Sequence, residues 1–107
     1  GGAMKYALPT DDGKTVGKVF GRAKSFALYN DADSSYVIAP NEGVNTEHGA
    51  GTGAAAFLTE KGVGVLIAPE VGPKAAAALS TAGIRVEITE AGKDLGEAMA
   101  DVIVPLK

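Results

Sequence analysis

Hydrophobic and polar positions change their rhythm about halfway along the chain. Residues 4–9 alternate and stop at Pro9, residues 25–29 alternate again, and 36–39 form a short apolar run. The period of two predicts two strands, and the short apolar run a third. The polar stretch 30–35 joins the second and third as a hairpin. Asp12-Gly13 suits the positive φ of a tight turn, so residues 10–14 predict a turn. Residues 15–23, interrupted by Gly17 and Gly21, carry no periodic signal and predict irregular chain. After residue 50 the spacing becomes helical. A helix over residues 51–61 stops at Gly62, and a second over 74–82 opens after Pro73 and stops at Gly83. Between them, residues 63–68 are nearly all apolar, as in a strand covered on both faces within a parallel sheet. Residues 84–88 alternate as a fifth strand and 94–101 predict a third helix, which leaves 102–107 unassigned.

The resulting order, β-β-β-α-β-α-β-α, implies an α/β fold. Strands joined by short turns run antiparallel, and strand–helix–strand units run parallel. A mixed five-stranded sheet with helices on its faces follows. No repeat or linker interrupts the pattern, so residues 4–107 read as one domain. Gly1-Gly2-Ala3 ahead of Met4 resembles a remnant of tag removal. The 107 residues are 46% hydrophobic and 21% charged, enough for a packed core and too little charge for a self-repelling chain. With no tryptophan and abundant alanine and valine, that core is built from small aliphatics. A net charge of −3 without a basic block argues against a nucleic-acid partner. No apolar run approaches the roughly 20 residues that span a bilayer, and no leader pattern precedes the fold, so no membrane partner and a cytoplasmic location are expected. The absence of cysteine removes disulfides and thiolate metal ligands.

The most distinctive stretch is His48-Gly49-Ala50-Gly51-Thr52-Gly53, which holds the only histidine and leads into the first helix. Glycines there let a ligand approach the main chain, and a helix start turns free N–H groups and a positive dipole end towards it. A second helix start lies at Gly72-Pro73, and the Asp11-Asp12 turn leaves the end of the first strand. Three loops thus converge on one rim, where ligands of open α/β sheets sit. Gly49-x-Gly51-x-x-Ala54 with Glu70 formally matches a dinucleotide fingerprint, although residues 40–47 separate it from the preceding strand. A nucleotide- or phosphate-binding module on Gly49–Gly53 is therefore one reading, and a protein-interaction loop is another. His48 can supply one imidazole to iron. Arg22, between Gly21 and Ala23, can neutralise an anion or pair with a loop carboxylate. No nucleophile stands beside a base, which points away from an enzyme.

Several short strings fall in a recognisable order: Ala7-Leu8-Pro9-Thr10-Asp11-Asp12-Gly13, Phe20-Gly21-Arg22-Ala23, His48-Gly49-x-Gly51-x-Gly53, and Gly72-Pro73-x-Ala75 ahead of Ala82-Gly83-Ile84. Together they resemble the dinitrogenase iron–molybdenum cofactor biosynthesis family, the small domain of NifX and of the NifB C-terminal region. The resemblance implies a three-layer α/β/α, ribonuclease H-like fold (nitrogenase accessory factor-like). It also implies non-enzymatic binding and carriage of an iron–sulfur or iron–molybdenum cluster precursor between donor and acceptor proteins. Transferred residue by residue, it makes His48 the metal ligand. Gly49, Gly51, Thr52, Gly53 and Gly72 form the cradle, with Arg22 and Asp11 beside it. Members often carry a histidine just before Phe-Gly-Arg, where this chain has Val19.

Overall fold

A computed structural model of the chain describes residues 4–43 and 49–106. Its elements follow the expected order: β1 (Lys5–Thr10), β2 (Ser25–Asn30), β3 (Ser35–Pro40), α1 (Ala50–Glu60), β4 (Val65–Ala68), α2 (Pro73–Thr81), β5 (Arg85–Ile88) and α3 (Leu95–Leu106). The five strands form one sheet in the order β3-β2-β1-β4-β5. β2 is antiparallel to both its neighbours, while β4 runs parallel to β1 and to β5. Only β2 therefore runs against the rest.

Alternation along the central strands builds two cores. Ala7, Leu66 and Ala68 face α1 and α2, packing with Phe57, Leu58 and Leu79, while Leu8, Val65 and Ile67 face α3 and pack with Leu95, Met99 and Ile103. β4 is buried along its whole length, as its unbroken apolar run requires. β3 forms one edge and is largely uncovered, with Tyr36, Val37 and Ile38 exposed.

Both α1 and α2 end in the same way. Gly62 (φ 77°) and Gly83 (φ 78°) adopt the left-handed conformation. The next residues then close the helix, Val63 N–H on the Leu58 carbonyl (3.0 Å) and Ile84 N–H on the Leu79 carbonyl (2.9 Å). Those two N–H groups are thereby engaged. The strands begin two residues later than expected at β4 (Val65, not 63) and one later at β5 (Arg85, not 84). Of the C-terminal stretch without a sequence assignment, residues 102–106 are helical. α3 continues past Asp101 because its apolar stripe continues: Leu95, Ala98, Met99, Val102 and Ile103 keep helical spacing and pack on the sheet. Among the described residues no helix is long and apolar enough to cross a membrane.

Candidate functional site

Since β1, β3, β4 and β5 share one direction, their carboxyl ends lie along one rim of the sheet. β1 and β4 are neighbours, yet the chain leaves β1 towards β2 and leaves β4 towards β5. A crevice opens between connections that part in this way. Here it is a cavity of about 660 Å³ walled by residues 18–22 of the β1–β2 connection, by Gly51, and by residues 70–75 at the start of α2.

The β1–β2 connection is irregular, as expected, but it is firmly held. The Asp12 carboxylate accepts the N–H groups of Lys14 and Thr15 (both 2.8 Å) and the Thr15 hydroxyl (2.9 Å). The buried Thr10 hydroxyl donates to the Thr15 carbonyl (2.7 Å) and accepts the Gly13 N–H (2.9 Å). The bonds that Asp12 accepts, from the Thr15 N–H first and then the Lys14 N–H and the Thr15 hydroxyl, hold its carboxyl down to about 2. Val16 then enters the α3-side core and Phe20 the core under α1 and α2, where it meets Phe26 with ring centroids 5.6 Å apart. The connection thus crosses the end of the sheet with an apolar anchor on each side. Asp11 accepts the Lys24 N–H (3.0 Å), and Asn41 donates to the carbonyls of Gly21 and Ala23 (3.0 Å each).

The cavity wall carries Lys18, Arg22 and Lys74 against one carboxylate, Glu70. The ion pairs among the described residues join other side chains, Arg85 with Glu87 and Lys93 with Asp101. α2 starts at Gly72 with Pro73 as its first residue, without a side-chain cap or an acid in its first turn. Its first internal bond is Ala76 N–H to the Gly72 carbonyl (2.8 Å), and the N–H groups of Lys74 and Ala75 take no acceptor among the described residues. α1 likewise starts on a glycine, Gly49 (φ 97°), with no side-chain cap and no acid in its first turn. Cations and a helix start with open donors favour a negatively charged occupant. Phe20, Val71 and Ala75 give the wall an apolar part.

The structure brings Arg22, Gly51 and Gly72 together on this wall, with Glu70 beside them. Gly51 has a packing duty as well, because a Cβ there would come within 2.9 Å of the Ala75 Cβ. Gly49 is exposed at the head of α1. Thr52, Gly53 and Asp11 are not on the wall; buried Gly53 lies against Gly43, whose Cβ would meet the Gly53 oxygen at 2.2 Å. His48 lies outside the described residues. Val19 is on the wall and half-exposed. Sequence reasoning missed Lys18, Lys74, Asn41 and Gly43. The two lysines adjoin the strings Phe20-Gly21-Arg22 and Gly72-Pro73, and that adjacency was the available signal. Among the described residues no three of His, Cys, Asp and Glu gather as a metal site.

A family model described as dinitrogenase iron–molybdenum cofactor matches residues 3–104. An uncharacterized protein of Methanocaldococcus jannaschii is 34% identical over 86 residues, covering 78% of this chain and 72% of its own. The apo form of the orange protein from Desulfovibrio gigas superposes with a TM-score of 0.86 at 31% identity, covering 95% of this chain and 88% of that one. A candidate NifB protein from Thermotoga superposes with a TM-score of 0.77 at 30% identity and the same coverage.

Proposed function

Because the chain belongs to the dinitrogenase iron–molybdenum cofactor family, we propose that it binds and carries an anionic iron–sulfur or iron–molybdenum cluster precursor without transforming it. The observation that carries this reading is the cavity wall, where Lys18, Arg22 and Lys74 outnumber Glu70 beside the uncapped start of α2. Such clusters bear negative charge on exposed sulfur, and cationic side chains with free N–H groups bind that surface through charge-assisted hydrogen bonds. His48 supplies the single imidazole ligand from the segment leading into α1. With no cysteine in the chain, most of the cluster's own ligands must arrive and leave with it, which suits a carrier that receives cargo from one protein and yields it to another.

The test is an anaerobic titration with a synthetic, thiolate-capped iron–sulfur cubane, followed by absorbance and by gel filtration. Wild-type protein is expected to co-migrate with the cluster. Arg22→Ala should weaken binding by about tenfold or more, the scale of one charge-assisted hydrogen bond. His48→Ala should weaken it too, and should change the absorbance of whatever cluster still binds. Failure of the wild-type protein to bind, or equal binding by all three proteins, overturns the proposal.

A further inference from the structure

We propose that Asn41 is a positioning residue for this cavity. In this role its side chain locks the wall that carries Arg22 to the segment seated on the first turn of α1. The inference rests on the reading of the cavity as an anion site.

Asn41 follows β3 and is 6% exposed. Its Nδ2 donates to the carbonyls of Gly21 and Ala23, each at 3.0 Å, and its Oδ1 accepts the Gly43 N–H at 3.0 Å. The orientation of the amide is fixed by chemistry: one end meets two carbonyl oxygens and the other an N–H. Its backbone N–H is engaged as well, with the Lys24 carbonyl at 3.0 Å. The two carbonyls it grips belong to the residues on either side of Arg22, so one side chain fixes the peptide before the exposed arginine and the peptide after Ala23. Other fastenings of this turn are the Ala23 N–H to the Phe20 carbonyl, at a long 3.3 Å, and the Lys24 N–H to Asp11.

The acceptor end of the same amide reaches the segment packed on the start of α1. It fixes Gly43, and Gly43 lies so close to α1 that a Cβ would sit 2.2 Å from the Gly53 oxygen and 2.3 Å from the Gly53 carbonyl carbon. Gly53 in turn closes the first turn of α1, donating to the Gly49 carbonyl at 2.9 Å. A continuous line of contact thus runs from the Arg22 turn through Asn41 and Gly43 to the helix start bearing Gly51. The Arg22 turn and the start of α1, distant in sequence, are held in register by one buried carboxamide. A residue that merely satisfied buried carbonyls would stabilise the fold without being coupled to Arg22.

Asn41→Asp keeps the acceptor for Gly43 and replaces the donor facing Gly21 and Ala23 with oxygen. Asn41→Ser introduces no buried charge and carries the test if the aspartate variant does not fold. With the iron–sulfur cubane as probe, each variant should lose affinity about as much as Arg22→Ala does, near tenfold. Combined with Arg22→Ala, either should add less than about twofold, because both changes remove the same placed guanidinium. Wild-type affinity in the Asn41 variants, or losses that multiply in the double variants, overturns the proposal. If Arg22→Ala itself binds the cubane normally, the anion-site reading has failed, and amide exchange in the ligand-free protein decides the local claim. There Asn41→Asp should speed exchange at Ala23 by tenfold or more while Gly43 and the β1 amides keep their wild-type rates. Unchanged exchange at Ala23 overturns the clasp regardless of any ligand.

Discussion

Asp12 shows how one exposed side chain organises a segment that has no periodicity of its own. Its carboxylate takes the place of carbonyl partners that a strand or helix would offer to the N–H groups of Lys14 and Thr15. Because those bonds favour the charged form, its folded-state value of about 2 lies below the ordinary 3.8. A depressed carboxyl contributes stability that is present above the unfolded value and lost as pH falls through the folded one. Denaturant unfolding should therefore show stability declining between pH 4 and pH 2. Asp12→Asn should be less stable at neutral pH and should lack part of that decline. Asp33, lowered by the Ser35 hydroxyl, titrates in the same direction, so the difference between the two pH profiles is the informative quantity. Identical profiles would remove Asp12 from this role. The turn itself was legible, because Asp-Asp-Gly supplies both an acceptor and a residue tolerant of positive φ. The partner of Asp11 was not, since the Lys24 N–H lies 13 positions away and no local pattern announces it.

Helices α1 and α2 approach each other through Gly51 and Ala75, both of which line the cavity. In an isolated helix, Gly51→Ala would be favourable by up to about 1 kcal/mol. Here the new methyl would sit 2.9 Å from the Ala75 Cβ. Overpacking of that kind costs about 1–3 kcal/mol, so the variant should be destabilised despite its better propensity. Gly51→Ala combined with Ala75→Gly should recover part of the loss, and urea titration of the four proteins closes the cycle. Strict additivity would show that the helices move apart freely at this point. Both helices were readable from sequence because each is bounded by residues with one conformational use, Pro73 at a start and Gly62 and Gly83 at the stops. The strands after them were expected too early because the closing residues Val63 and Ile84 are apolar and look like strand, while their N–H groups belong to the helix before them. The end of α3 was missed although its stripe was present. Residues 15–23 stay beyond local reading for another reason: Val16 and Phe20 are buried on opposite faces of the sheet, an arrangement that exists only once the sheet does.

The molecule as a whole is acidic, yet the cavity wall is not. A net charge of −3 is distributed over 107 residues, whereas Lys18, Arg22 and Lys74 come together from two separate segments against Glu70 alone. That local reversal of sign was invisible in the composition, which argued only that no large basic surface exists. The topology produces it: parallel strands place the β1–β2 connection and the start of α2 on the same rim, and each brings its cations there. The cations line an open wall in contact with solvent, so their field is screened over about 10 Å at 0.1 M salt. Affinity for the iron–sulfur cubane should consequently fall several-fold between about 50 and 500 mM sodium chloride. Lys74→Glu should lower the affinity at low salt and flatten that dependence. Lys14→Glu changes the net charge by the same amount at a residue that does not line the cavity, and it separates the two possible origins of the effect. If Lys14→Glu leaves affinity within about twofold, attraction belongs to the wall. If both variants lose equally, the cluster responds to overall charge and the wall has no special part in binding. A salt-independent affinity would instead assign the binding to short contacts and to His48, with charge contributing little.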